Sequence, residues 1–410
     1  AVTVYAGGLV FQQVFGIKEL WGIDFFWIAA IGLVVLTALY TIFGGMKSVL
    51  YTSVLQTPIL LLGSLIILVL GFKELGGWDE MMRVCGAVTV NDYGDTMTNL
   101  IRSNDDANFP WLGALIGSAI IGFWYWCTDQ FIVQRVLSGK NEKEARRGTI
   151  FGAYLKLLPV FLFLIPGMIA FALHQKYIGA GGEGFLPMLA NGTANADAAF
   201  PTLVAKLLPA GVKGLVVCGI LAALMSSLAS LFNSSAMLFT IDFYKRFRPE
   251  TPEKKLVGIG QIATVVIVIL GILWIPIMRS VGDVLYTYLQ DVQSVLAPGI
   301  AAAFLLGICW KRTSAQGGMW GLIAGMVIGL TRLGAKVYYS NAGEVADSTF
   351  KYLFYDMNWL FFCGWMFLFC IIVVIVVSLA TEAPTAEKIQ GLVFGTATKE
   401  QKAATRASWD

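Results

Sequence analysis

Charge is scarce in this sequence. Only 13% of its 410 residues are Asp, Glu, Lys or Arg, where soluble domains carry nearer a quarter. Histidine is almost absent: His174 stands alone, and no HExxH-like pair of ligands exists, so zinc-protease or other histidine-based chemistry has no footing. The six cysteines, Cys85, Cys127, Cys218, Cys309, Cys363 and Cys370, lack metal or disulfide spacing; five lie in apolar stretches and read as packing residues. No nucleophile and base stand together, so an enzyme is not indicated. Ala1 is not an initiator methionine, no targeting segment precedes the first apolar run, and the chain stops at Ser408-Trp409-Asp410 inside a polar stretch; it reads as a fragment of a longer protein. The net charge of +3 singles out no partner and gives no reason to expect nucleic acid.

Apolar residues take the place of the missing charge. They make up 57% of the chain, and the mean hydropathy is +0.72. Apolar segments fall at about 1–16, 24–43, 51–71, 110–136, 149–173, 213–241, 256–278, 283–310, 317–335 and 357–381. Runs of this length recurring along a chain are the membrane-spanning pattern. They are too long and continuous for barrel strands, which leaves helices. The expectation is an all-α polytopic membrane protein in the cell (inner or plasma) membrane, with the lipid bilayer as its solvent. Lys47, then Arg135, Lys140, Lys143, Arg146 and Arg147, then Lys245, Arg246, Arg248, Lys254 and Lys255, then Lys311 and Arg312 fall in loops on one side if every segment spans once. Basic loops face the cytoplasm, and the tail 382–410 joins them there. The sequon Asn191-Gly192-Thr193 falls in an outer loop.

Polar groups inside apolar segments are expensive, so they mark cavities and function. The stretch GFWYWCTDQFIVQR, 122–135, sets Tyr125 and Trp126 just before Cys127, Thr128, Asp129 and Gln130. Two such rings suit a flat wall against the C–H face of a sugar; they also suit an interfacial aromatic belt. Asp129 and Arg135 read as structural, pairing with each other or with neighbouring helices. Lys156, in TIFGAYLKLLPVFLFLIPGMIA, either snorkels to the inner headgroups or donates to solute hydroxyls. Pro159 and Pro166-Gly167 loosen the same segment. Ser226, Ser227, Ser230, Asn233 and Ser234 crowd GILAALMSSLASLFNSSAMLFTIDFY, 219–244, among Ala222, Ala223 and Ala229. Small and hydroxyl residues serve close helix packing. The Ala223 carbonyl and the Ser226 and Ser227 hydroxyls also form the oxygen set that a hard monovalent cation wants. Gln290, beside Asp291 and Gln293, offers donor and acceptor to a polyol or to a neighbouring helix.

The segments WYWCTDQFIVQR (124–135), AYLKLLPVFLFLIPGMI (153–169), AALMSSLASLFNSSAMLFTIDFYKRF (222–247) and YLQDVQSVLAPGIAAAFLLGICWKR (288–312) resemble the signature segments of the sodium/solute symporter family, specifically its sodium/glucose cotransporter branch. TALYTIFGGMKSVLYTSVLQT (37–57) and GGWDEMM (76–82) do the same, in order and at compatible spacing along nearly the whole chain. The resemblance implies an inverted five-plus-five helix repeat transporter core (LeuT-like), incomplete, with extra peripheral helices, and a site near the midplane beside broken helices. It implies residues 1–310 as the core from its third helix onward, 311–381 as peripheral transmembrane helices and 382–410 as a cytoplasmic tail segment. The first two core helices, and with them half of each site, would be missing. Tyr125 with Trp126 beside it, Lys156 and Gln290 would bind the sugar. Ala223, Ser226 and Ser227 would bind sodium, the coupling ion, with no organic cofactor.

Residues that depart from the family pattern sharpen the expectation. Gly122 stands where sugar-transporting relatives tend to carry a hydrogen-bonding side chain, which leaves the sugar open. Ser53 stands where many relatives have Asp, and Ala229 where relatives with a second sodium site have a hydroxyl. The implied activity is sodium-coupled symport of a glucose- or galactose-like sugar into the cell by alternating access, with one sodium per sugar. The alternatives are a symporter of the same fold for myo-inositol or another small solute, and a transporter-like sensor domain.

Overall fold

The computed structural model describes residues 2–189, 192–276, 285–341 and 346–409. Asn191 of the sequon, and residues 277–278 and 283–284 at the edges of two apolar segments, lie outside the described residues. The main elements in chain order are helix α1 (Val2–Phe15), strands β1 (Glu19–Leu20) and β2 (Ile23–Asp24), and helices α2 (Phe25–Leu75), α3 (Trp78–Gly86), α4 (Trp111–Cys127), α5 (Gln130–Leu137), α6 (Glu142–Leu155), α7 (Ile165–Gly179), α8 (Ala199–Leu207), α9 (Ala210–Met237), α10 (Glu253–Leu273), α11 (Leu285–Cys309), α12 (Ala315–Asn341), α13 (Trp359–Ala380) and α14 (Lys399–Ala407). Wider π-helical turns run over Val160–Leu164, Leu238–Tyr244 and Tyr352–Asp356. Among the described residues seven helical stretches are long and apolar enough to cross a membrane, or eight if α4 and α5 together form one span.

The chain divides into two compact units. The first holds residues 1–90, 96–98 and 151–285. It opens with α1 and a two-residue hairpin in which Trp21 (φ 56) and Gly22 (φ 75) both take positive φ, as a tight I′ turn demands. Asp24 then accepts a hydrogen bond from the Phe26 amide at 3.0 Å and caps α2. The expected loop at Lys47, between two spans, is not formed. The backbone stays helical from Phe25 to Leu75, since the sequence between the two apolar runs holds Gly44-Gly45 but no proline; Pro58 sits inside the second run, and tertiary packing carries the helix through it. The core of this unit gathers Ile67, Leu75, Met81, Ile169, Leu173 and Val216. Helices α2 and α9 cross closely. A side chain at Gly63 would meet Val216 at 2.5 Å, and one at Gly219 would meet Ile59 at 2.8 Å.

The second unit holds residues 91–95, 99–150 and 286–410. Its core joins Ile120 and Ile121 of α4 to Ala297 and Ala301 of α11 and to Trp359 and Leu360 of α13. Before α4, Asp95 and Asp106 organise a loop. Asp95 accepts from the Ser103 amide at 2.8 Å and the Asn91 amide group at 2.8 Å; Asp106 accepts from the backbone amides of Phe109 and Asn108 at 2.8 and 2.9 Å.

The cysteines differ from expectation. Cys127, Cys218 and Cys309, all in apolar helices, are exposed, while Cys85, Cys363 and Cys370 are buried. A helix in a bilayer can leave one apolar face to lipid, so an apolar segment does not by itself imply a packed residue. His174 is a core residue: its Nδ1 accepts from the Leu186 amide at 3.0 Å.

Candidate functional site

The first unit carries Ala223, Ser226 and Ser227 on α9, in the middle of a 28-residue helix. Spacing of three and four residues puts Ala223, Ser226, Ser227 and Ser230 along one face. Ala223 and Ser227 are half-buried; Ser226 is 4% exposed. The Ser226 hydroxyl lies 2.6 Å from the hydroxyl of Ser53 on α2, where the Gly63 and Gly219 contacts draw the two helices together. Ala229, one helical turn on, is fully buried. Chemically this is a set of neutral oxygens, two hydroxyls and the main-chain carbonyls of a helix turn. A small hard cation can replace part of its hydration shell with such groups. Among the described residues no cluster of three His, Cys, Asp or Glu side chains offers an alternative metal site.

Lys156 belongs to the same unit. It stands at the turn where α6 ends, exposed, its amide donating to the Gly152 and Ala153 carbonyls at 3.0 and 3.2 Å. Pro159 lacks an N–H and crowds the carbonyl four residues earlier, which accounts for the break after Leu155 and the π-helical turns that follow.

Tyr125, Trp126 and Gln290 belong to the second unit. Tyr125 is half-buried near the end of α4, its ring edge-on to Trp126 with centroids 5.3 Å apart. Trp126 is 48% exposed. The polar run after them punctuates the helix. Thr128 donates its hydroxyl to the Trp124 carbonyl at 2.7 Å, and Asp129 caps α5 by accepting from the Phe131 amide at 3.0 Å. The chain bends by 47° between α4 and α5. The structural reading of Asp129 thus takes the form of a cap, and Arg135 lies 5.1 Å above the Phe131 ring. Gln290 donates to the Tyr286 hydroxyl at 3.3 Å, one turn earlier on α11. The Tyr286 ring in turn lies 6.4 Å from that of Phe109, tilted by 38°.

The expected residues are thereby sorted. Tyr125 and Gln290 lie on helices that share one packed core, and Ser226 and Ser227 lie beside Ser53 on a second pair. Ser53, which departs from the family pattern, meets the α9 hydroxyls from 173 positions away, a pairing that no local sequence pattern shows. Tyr286, four positions before Gln290, shares that residue's face.

Comparison with known proteins settles the family. The profile of the Sodium:solute symporter family matches residues 1–325. The chain belongs to this family. It is 35% identical over 407 residues to the Homo sapiens sodium/myo-inositol cotransporter 2, covering 97% of this chain and 59% of that protein. It is 36% identical to the Bos taurus sodium/mannose cotransporter, covering 97% and 67%, and 35% identical to the Mus musculus sodium/glucose cotransporter 4, covering 97% and 58%. The chain therefore spans about three fifths of the length of the human and mouse relatives. A solved substrate-bound, outward-open structure of a Na+-coupled sialic acid symporter matches with TM-score 0.67 at 20% identity, over 94% of this chain and 73% of that one. The fold is that of a LeuT-like symporter, an all-α multi-pass membrane protein, and the family is one of transporters rather than enzymes.

Proposed function

We propose that the full-length protein is a sodium-coupled symporter for a sugar or cyclic polyol. The observation that carries this reading is the buried hydroxyl face of α9, with Ser226 at 2.6 Å from Ser53, in a chain of this family. Sodium is coordinated by the Ser226 and Ser227 hydroxyls and the Ala223 carbonyl. The solute is held by the ring face of Tyr125, with Trp126 beside it, and by Gln290 and Lys156 through hydrogen bonds. Sodium binding favours one of two arrangements of the protein and organises the solute site, so coupling is a difference in affinity between states. The membrane potential supplies about 2.3 kcal/mol per charge per 100 mV, and one sodium moves per solute.

The relatives are cotransporters of myo-inositol, mannose and glucose, which supports a neutral polyhydroxylated ring over a carboxylate. Myo-inositol stands beside glucose and galactose as a substrate, because Gly122 presents no side chain to select among hydroxyl patterns. Uptake of labelled myo-inositol, D-mannose, D-glucose and D-galactose by the complete gene product in proteoliposomes, with and without a sodium gradient, tests the reading. Sodium-dependent uptake of at least one is expected; uptake of none refutes it.

A further inference from the structure

Beside Gln290, near the start of the apolar stretch Leu289–Cys309, α11 carries a carboxylate that faces two cations. Asp291 Oδ2 lies 2.5 Å from Lys336 Nζ, and its Oδ1 lies 3.5 Å from Arg332 Nη2. Both cations belong to α12, which is itself long and apolar enough to span. Arg332 is 1% exposed. It also donates to the Met357 carbonyl at 2.8 Å and to the Leu353 carbonyl at 3.5 Å, and its guanidinium lies 4.1 Å from the centre of the Phe362 ring. One cluster thus ties α11 to α12, to the turns before α13, and to α13 itself.

The cluster continues a regular seam. A side chain on Gly325 would meet the Gly299 Cα at 2.9 Å, and one on Gly329 would meet the Val295 carbonyl at 2.7 Å. Positions 299, 295 and 291 of α11 therefore meet positions 325, 329 and 332–336 of α12 in antiparallel order, one turn per step. The glycine end of the seam is fixed by backbone contact. The end next to Gln290 is fixed by charge.

We propose that Asp291, Arg332 and Lys336 form an electrostatic lock that sets the rotation of α11 about its axis and so places the Gln290 amide for the solute. Asp291 is a positioning residue in this scheme, and the proposal rests on the symporter reading above. Adjacent helical residues point about 100° apart, so Asp291 faces α12 while Gln290 shares a face with Tyr286. At a helix radius of roughly 5–6 Å with side chains, a rotation of about 10° moves a side-chain tip by about 1 Å. Displacements of about 1 Å at a reacting or binding centre cost up to roughly a hundredfold. Stability alone does not explain the cluster, since apolar replacements of buried ion pairs are often neutral or stabilising, and intramembrane charges mark function by default.

The test is uptake by the complete gene product in proteoliposomes, with labelled myo-inositol, D-mannose, D-glucose and D-galactose as probes. Asp291→Asn is expected to raise the half-saturating solute concentration at least about tenfold, with the half-saturating sodium concentration and the maximal rate changing far less. Asp291→Glu, which keeps the carboxylate, is expected to recover most of the loss. A purely structural role lowers the yield of folded protein and leaves half-saturation alone. Should Asp291→Asn fail to fold, Lys336→Gln replaces it, because it leaves Asp291 paired with Arg332; the same rise in half-saturation is expected. A folded variant of either kind with unchanged solute half-saturation overturns the lock. Wild-type protein that takes up none of the probes overturns the symporter reading instead.

Discussion

The hydroxyls of Ser53 on α2 and Ser226 on α9 lie 2.6 Å apart. One hydroxyl donates and the other accepts. The pair allows two kinds of effect to be separated. As an interhelical hydrogen bond in a membrane it is worth about 0.6 kcal/mol. As part of an ion's coordination shell it is worth far more to sodium affinity, where each tenfold is about 1.4 kcal/mol.

Ser227→Ala and Ser226→Ala are expected to raise the half-saturating sodium concentration at least about tenfold. Ser53→Ala, which removes only the helix-to-helix partner, is expected to shift it less and to lower the melting temperature slightly. Sodium titrations of solute uptake in the complete protein measure all three. Equal effects of Ser53→Ala and Ser226→Ala would reduce Ser226 to a packing hydroxyl, and an unchanged sodium dependence in Ser227→Ala would remove the ion from this face.

Stoichiometry follows from what Ser53 and Ala229 lack. A second sodium needs more oxygen and preferably negative charge, and neither a serine already bonded to Ser226 nor an alanine supplies it. The charge-to-solute flux ratio is expected to be near one; a ratio near two means a second ion binds elsewhere. Introducing Ser53→Asp together with Ala229→Ser is expected to move the ratio upward.

Packing at the α4–α13 crossing leaves no room for a methyl group. A side chain on Gly117 would lie 2.9 Å from the Leu360 carbonyl oxygen and 3.0 Å from its Cα, and backbone cannot swing aside as a side-chain tip can. Gly117→Ala is expected to destabilise the protein by roughly 1–3 kcal/mol, read as a lower melting temperature in detergent. Gly122, with open space around it, is expected to tolerate alanine with little change.

These contrasts show what could be read from sequence. Apolar runs and the polar residues inside them declared the helices, since both follow from the cost of exposing polar groups to lipid. The continuity of α2 did not show. Gly44-Gly45 and Lys47 look like a loop, yet the backbone runs helical from Phe25 to Leu75, because nothing between the two apolar runs removes a backbone donor as proline would. The role of Asp129 was half visible: a carboxylate before Gln130 and Phe131 is also a helix cap, but a cap is recognised only once the 47° bend supplies a helix start. The ion cluster of Asp291 was hidden because its cations lie on α12, 41 and 45 positions away, and no local pattern pairs them.

The loop before α4 should respond to acid. Asp95 is held below the usual carboxylate range by hydrogen bonds from the Ser103 amide and Asn91, against some burial. Burial pushes the Asp106 carboxyl up, but the Phe109 and Asn108 amides, Asn91 and the Arg102 charge outweigh it, and the net direction is down. A carboxyl depressed in the folded state stabilises it above the unfolded value, about 3.9 for Asp, and loses that contribution as pH falls through the folded value. Amide exchange across residues 91–109 is expected to stay slow from neutral pH to about pH 4, after correction for intrinsic rates, and to quicken below it. Protection that is unchanged well below that point would mean the two carboxylates do not hold the loop.

Tyr125 is the residue where solute recognition is most open to direct measurement. Its ring is half-buried and held edge-on by Trp126 at 5.3 Å, so its face is presented by a fixed neighbour. An aromatic contact of this kind contributes about 0.5–1.5 kcal/mol beyond area burial, and loss of the whole ring removes the area as well. Tyr125→Ala is therefore expected to raise the half-saturating solute concentration at least about tenfold, while Tyr125→Phe, which keeps the ring, is expected to cost much less. Trp126→Ala is expected to act mainly through Tyr125, because half of the Trp126 surface is exposed. Solute titrations at saturating sodium distinguish these cases. If Tyr125→Phe proves as damaging as Tyr125→Ala, the hydroxyl is the contact and the stacking wall is wrong; if neither matters, the ring belongs to an interfacial belt and the solute lies elsewhere.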